Sequence, residues 1–180
     1  MKLVVLERTF SPELPVPMTF DRWMVVNHSL DDCLESRQVH WHNSLVSENG
    51  DRSICVFEVP AMELVRTACR QARMPFQRVW AAELWVDQAL NNRPQGSSVI
   101  VAEVDYPQPV TRAVDEAAKQ QAAGYFQNMN IQSLCSVVSL DGNHSICVFS
   151  AVSAEAVRSL YRTTNMPFQQ IWKATLIRPH

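Results

Sequence analysis

The sequence lacks the long apolar run that a membrane-spanning helix requires, since no stretch of about 18 apolar residues occurs along its 180 residues. It also lacks the apolar core of a signal peptide, because Glu7 and Arg8 follow only four apolar residues. A formal net charge of −2 provides no general attraction for nucleic acid or anionic lipid. We therefore expect a cytoplasmic protein with no nucleic-acid or membrane partner.

Paired cysteine motifs are absent as well. The chain has five cysteines, an odd number, and no CxxC pair, so reduced thiols are expected rather than a disulfide scaffold. No GxGxxG, GxxxxGK(S/T), HExxH or GxSxG motif occurs, which removes the common signatures of dinucleotide, nucleoside triphosphate, zinc-protease and serine-hydrolase sites.

An internal repeat organises the chain. Residues 46–84 and 138–176 are identical at 19 of 39 positions without a gap. A weaker match relates KLVVLER at 2–8 to SVIVAEV at 98–104. The chain is therefore a duplication, for which we predict a first repeat over 1–88, a linker over 89–97 and a second repeat over 98–180.

Each repeat shows the same order of predicted elements. Short β-branched runs predict strands, apolar residues at helical spacing predict helices, and Asn49-Gly50 and Asp141-Gly142 predict hairpin turns. A single helix is expected over about 111–124. The resulting β-α-β-β-α-β order is the ferredoxin-like pattern. We predict an α+β fold of two ferredoxin-like βαββαβ repeats with antiparallel sheets packed face to face, an intramolecular pseudo-dimer of the dimeric α+β barrel type.

Three strings that occur in both repeats carry a resemblance to a known family. They are VSENGDRSICVF with its counterpart VSLDGNHSICVF, then E-x-V-R near the start of the second helix, and M-P-F-Q-x-x-W. They resemble a bacterial ferredoxin-like family of unknown function, some members of which are described as nickel-binding proteins. The resemblance is strongest over 39–86 and 131–178. It implies a ferredoxin-like fold and binding of nickel, without assigning ligands.

His40 and His42 form the first candidate site. Residues i and i+2 of a regular strand point to one side, so the two imidazoles could share a nickel, copper or zinc ion. Glu7 or a neighbouring carboxylate could assist. Gln132 and Leu134 occupy the equivalent positions, so the site would occur once per chain. The alternative is a pair of solvent-facing histidines near a sheet edge.

Carboxylates and unmatched tryptophans form a second candidate site. If two sheets face each other, Glu7 and Glu103 could converge between them, where a buried carboxylate must be paired, protonated or bound to a metal. Alternatively, they pair with basic residues or reach water. The further residues that could line such a pocket are Glu83, Trp23, Trp41 and Trp85.

Three functions remain open at this stage. The first is non-catalytic binding of nickel or another divalent transition metal, and we favour it over an enzymatic role. The second is a small-molecule-binding or cofactor-independent enzymatic barrel with a pocket between the sheets. The third is a structural or interaction module. In each case the two repeats are expected to pair internally, with further oligomerisation open.

Overall fold

The computed structural model describes residues 1–86 and 90–179. A 3-10 turn covers Leu90–Asn92, and within the described residues no helix is both long and apolar enough to cross a membrane. The strands are β1 (Lys2–Thr9), β2 (His40–Ser47), β3 (Arg52–Val59), β4 (Arg78–Val86), β5 (Ser98–Asp105), β6 (Gln132–Ser139), β7 (His144–Ser150) and β8 (Gln170–Ile177). The helices are α1 (Phe20–Glu35), α2 (Glu63–Gln71), α3 (Arg112–Gln121), α4 (Ala123–Asn128) and α5 (Ala154–Thr163).

The strands are hydrogen-bonded in the order β1-β3-β2-β8-β5-β7-β6-β4, and this antiparallel sheet closes into one eight-stranded barrel. The α+β class is thereby confirmed, but the prediction of two ferredoxin-like repeats with sheets packed face to face is wrong. The physical reason lies at the sheet edges. In a separate repeat β2 would be an edge strand with unpaired backbone groups, whereas here it pairs with β8 from Ser44↔Ile177 to Ser47↔Ala174.

The chain divides into two compact units. The first unit comprises Met1–Ala82, Pro94–Ser97 and Ala174–His180, and the second comprises Glu83–Arg93 and Ser98–Lys173. The last four residues of β8 therefore belong to the first unit. The predicted division into 1–88, 89–97 and 98–180 stays a prediction, and its boundary at 88/89 lies outside the described residues.

In the first unit, α1 packs its apolar side onto the sheet. The helix begins after Thr19, whose hydroxyl accepts a hydrogen bond from the Arg22 amide at 3.3 Å. Four of its residues are buried, namely Trp23, Asn27, Leu30 and Leu34. The three apolar ones join a core that includes Val4 and Leu6 of β1 and residues of α2. The space between α1 and the sheet is therefore filled by side chains.

The second unit is packed differently. Its first helix begins after Thr111, but the expected single helix over 111–124 is two helices, α3 and α4, and neither has a buried residue. The core of this unit is made instead by α5, which buries Val157, Leu160 and Tyr161 against β5 and β7. As a result, α3 covers the sheet without filling the space beneath it.

A glycine at each predicted hairpin turn holds the loop that follows the first strand of its unit. Gly50 and Gly142 have φ values of +77° and +73°, which glycine adopts without steric cost. The Gly142 carbonyl accepts a hydrogen bond from the Val110 amide at 2.8 Å, and the Gly50 carbonyl accepts one from the Leu14 amide at 2.9 Å. In the second unit, this contact fixes the loop between β5 and α3.

Candidate functional site

A cavity of about 450 Å³ lies within the second unit, where α3 and α4 cover β5, β7 and α5. Most of its wall is apolar, and three aromatic rings pack together in it. The Phe149 ring lies 6.3 Å from the Phe126 ring and 6.0 Å from the Tyr161 ring, the latter in an edge-to-face arrangement. The other apolar lining residues are Val104, Pro107, Pro109, Val110, Val114, Ala118, Met166 and Pro167.

A chain of hydroxyl and thiol groups begins at the wall of the cavity and continues behind it. The Tyr106 hydroxyl lies 2.9 Å from Ser145 Oγ, which lies 3.5 Å from Cys147 Sγ. Ser136 Oγ donates to the same sulfur at 3.5 Å. Tyr106 and Cys147 line the cavity, whereas the two serines are buried behind them. The cavity therefore meets hydrogen-bonding groups that are held in place by a buried network.

Both tyrosines of the cavity stay protonated near neutral pH. Burial raises the pKa of Tyr106 well above its usual value, and the nearby Cys147 raises it further. Burial raises the pKa of Tyr161 in the same direction, again with Cys147 as the next cause. Their hydroxyl groups are thus neutral hydrogen-bonding groups rather than phenolates.

One ion pair lines the cavity on the side of α3. Lys119 Nζ lies 2.8 Å from Asp115 Oδ2, one helical turn earlier, and the two side chains are only 21% and 15% exposed. The other lining residues carry no formal charge when the tyrosines and the thiol are protonated. The two opposite charges therefore leave the lining with no net formal charge.

At the equivalent place of the first unit, the described residues leave no comparable space. Arg8 stands at the position of Val104, since Arg8 faces Ser53 on β3 and Val104 faces Ser145, the repeat partner of Ser53, on β7. The large Arg8 side chain is 2% exposed and Trp23 of α1 packs beside it, at 5.2 Å from its guanidinium carbon. A space of only about 10 Å³ remains there.

The Arg8 guanidinium is held by groups without formal charge. It donates to Asn27 Oδ1 at 2.7 Å and to Met74 Sδ at 3.2 Å, and the Phe10 ring lies 5.2 Å away. Asp31 of α1 lines the residual space, where one of its carboxylate oxygens is buried without a hydrogen-bond partner. Burial raises the pKa of Asp31 to about 6, although the positive charge of Arg8 opposes the shift.

The predicted metal ligands do not form one cluster. His40 and His42 are both exposed on β2, and the pairing register of this strand shifts between Trp41 and Asn43. His40 faces Glu58, which in turn faces Leu3 on β1. Four residues further along β1 lies Glu7.

At the rise of a strand, four residues correspond to about 13 Å, so Glu7 lies far from the histidines. The carboxylate beside them is Glu58, with Oε2 at 3.4 Å from His42 Nε2. Among the described residues, no group of three or more His, Cys, Asp or Glu side chains is placed to hold a metal ion. Nickel binding at His40, His42 and Glu7 stays a prediction that this geometry does not support.

Glu7 and Glu103 each bind the tryptophan that matches across the repeat. Trp80 Nε1 donates to Glu7 Oε1 at 2.6 Å, and Trp172 Nε1 donates to Glu103 Oε1 at 2.7 Å. Arg78 also approaches Glu7 at 3.3 Å. The two carboxylates thus occupy the same structural position in the two units, and each is satisfied within its own unit.

The other residues expected to line a pocket are divided between two places. Trp23 and Trp41 border the residual space of the first unit. Glu83 and Trp85 line an open cleft of about 650 Å³ in the second unit, where Trp85 Nε1 donates to Glu83 Oε2 at 3.3 Å. None of the four lies in the cavity under α3.

Sequence reasoning missed the residues that do line this cavity. Two signals could have indicated them. One is Val104, a small residue where the first repeat has Arg8. The other is the sequence of α3, which offers Ala118 and Lys119 toward the sheet, whereas α1 offers Trp23.

Comparison with known proteins shows the fold. No protein-family profile and no curated protein matches the sequence. Among solved structures, a chlorite dismutase variant from Candidatus Nitrospira defluvii, in complex with cyanide, matches with a TM-score of 0.51 and 9% identity, covering 97% of this chain and 89% of that one. A protein provisionally assigned as a chlorite dismutase matches with a TM-score of 0.52 and 12% identity, covering 98% of this chain and 94% of that one. At these identities the likeness establishes a shared α+β barrel fold.

Proposed function

We propose that the second unit binds a small, mainly apolar molecule in the cavity under α3. The observation that carries this proposal is a helix without a buried residue, lying over about 450 Å³ of apolar-walled space. Ligand sites are typically concave, mainly apolar and about 300–1,000 Å³ in volume, with a few polar groups that fix orientation. The hydroxyl and thiol chain behind Tyr106 supplies such groups.

The duplication provides an internal comparison. The first unit has the same order of elements, apart from one helix, α1, where the second has α3 and α4. Yet Arg8 and Trp23 leave only about 10 Å³ at the equivalent place. The cavity is therefore not a requirement of the fold. Unfilled space forfeits dispersion contacts, so a ligand that occupies the cavity would also stabilise the folded chain.

Fluorescence titration with the neutral apolar probe N-phenyl-1-naphthylamine tests the proposal. We expect saturable binding of one probe per chain. Ala118→Trp, which places an indole in the cavity, should weaken binding at least tenfold. Ala117→Trp, on the exposed side of α3, is the matched control and should bind as the unaltered protein does. Absence of saturable binding, or equal loss in both variants, would contradict the proposal.

A further inference from the structure

The chain of groups that begins at Tyr106 leaves one hydrogen for a ligand. Each neutral hydroxyl or thiol carries one hydrogen, and four groups joined by three hydrogen bonds use three of them. The four groups are Tyr106, Ser145, Cys147 and Ser136, with separations of 2.9, 3.5 and 3.5 Å. One hydrogen is therefore left without an acceptor inside the network.

That hydrogen can be directed into the cavity from Tyr106. Cys147 Sγ already accepts from Ser136, so the hydroxyl of Ser145 can turn from the sulfur toward the Tyr106 oxygen. The Tyr106 hydrogen then becomes available to the cavity. In the reversed arrangement the Cys147 thiol donates to Ser145 Oγ, and Ser145 donates to the Tyr106 oxygen. Ser136 still donates to Cys147 Sγ, so the number of hydrogen bonds in the network stays at three.

The charges around the cavity oppose a charged ligand. Lys119 and Asp115 neutralise each other at 2.8 Å, and their side chains are mostly buried. A ligand carboxylate or ammonium would lose its hydration and would have to break this pair to gain a counter-charge. A neutral ligand meets no such cost.

We infer that the ligand, if the cavity binds one as proposed above, is a neutral apolar molecule with an acceptor oxygen, such as a carbonyl, that takes a hydrogen bond from the Tyr106 hydroxyl. The aromatic rings of Phe126, Phe149 and Tyr161 favour a flat hydrocarbon skeleton behind that oxygen. Tyr106 is thereby a specificity-determining residue, and the rest of the wall contributes apolar contact.

Three probes that share a naphthalene skeleton separate what the acceptor oxygen, the apolar skeleton and a negative charge each contribute to binding. 2-Ethylnaphthalene has the shape of 2-acetylnaphthalene without its oxygen, and 2-naphthoate adds a negative charge. Each is titrated by calorimetry into the unaltered protein and into Tyr106→Phe. The variant should fold, because Phe10 stands at the equivalent position of the first unit.

We expect Tyr106→Phe to weaken the binding of 2-acetylnaphthalene roughly tenfold and that of 2-ethylnaphthalene less than twofold, since only the ketone loses a hydrogen bond. 2-Naphthoate should bind at least tenfold more weakly than the ketone. If both neutral probes bind but Tyr106→Phe changes the two affinities equally, or if 2-naphthoate binds most tightly, the inference is wrong while the proposed function stands. If neither neutral probe binds, the proposed function itself fails.

Discussion

Ala118 offers a direct way to measure the empty space under α3. Its side chain is partly buried and lines the cavity. Ala118→Leu adds three carbon atoms that can enter the cavity, and burial contributes about 0.8 kcal/mol for each such carbon, or about 2.4 kcal/mol when burial is complete. The cavity is open to solvent on one side, so we expect a gain of about 1 kcal/mol in the free energy of unfolding. Alanine and leucine have similar helix propensities, so that effect adds little.

The assay is urea unfolding of the unaltered protein and of two leucine variants. Ala117→Leu, on the exposed side of the same helix, controls for helix propensity and should change the free energy of unfolding by less than about 0.5 kcal/mol. Ala118→Leu should also weaken binding of the apolar probe. A loss of about 1–3 kcal/mol on Ala118→Leu would show that there is no empty space under α3, because it is the response of a site that is already filled.

Two further predictions concern Asp31 and the Gly142 turn. The pKa of Asp31 is raised from 3.8 to about 6, so the folded chain binds that proton more tightly than the unfolded chain and loses stability as pH rises through this window. After allowance for partial exposure, Asp31→Asn should be about 1 kcal/mol more stable than the unaltered protein at pH 7.5 and equally stable near pH 3.5. A variant less stable than the unaltered protein at pH 7.5 would mean that the attraction between Asp31 and Arg8 outweighs the cost of burial. Gly142→Ala would place Cβ 2.8 Å from the Val110 carbonyl oxygen. Gly96 has a similar φ of +76°, but a Cβ added there would meet no atom within 4 Å. In thermal unfolding we expect Gly96→Ala to be destabilised by about 1 kcal/mol and Gly142→Ala by at least about 1 kcal/mol more. Gly142→Ala should also bind the apolar probe more weakly. Equal losses of stability in the two variants would contradict the role of the loop contact.

The sequence allows the elements to be predicted because their signals are local. Hairpin turns were expected at Asn49-Gly50 and Asp141-Gly142, and glycines with positive φ stand there. Each repeat was expected to begin and end with a strand, and β1 and β4, then β5 and β8, stand at these places. The closed sheet could not be predicted, because alternation along β8 indicates its two faces but not which strand, here β2, pairs with its edge.

The site was harder to predict because it is an empty space between α3 and the sheet, where side chains of the first unit fill the equivalent place. Tryptophans were expected to line a pocket, yet Trp23 fills the space in the first unit instead of surrounding it. The first repeat has Arg8 where the second has Val104. This difference indicates a cavity only once both positions are known to lie on the side of the sheet that a helix covers. The paired-histidine hypothesis stays a prediction, because His40 and His42 are both exposed on β2 but belong to no group of three or more possible metal ligands among the described residues.

A ligand-sized cavity lies under α3 in the second unit, whereas the described residues at the equivalent place of the first unit leave only about 10 Å³. Crystals soaked in 2-bromonaphthalene test this difference directly, since bromine can be located by its anomalous scattering. We expect one bromine peak beneath α3, within contact distance of Phe149 and Ala118, and no peak beside Trp23 in the first unit. A cavity that stays without bromine at saturating probe, or an equal peak in the first unit, would contradict this expectation.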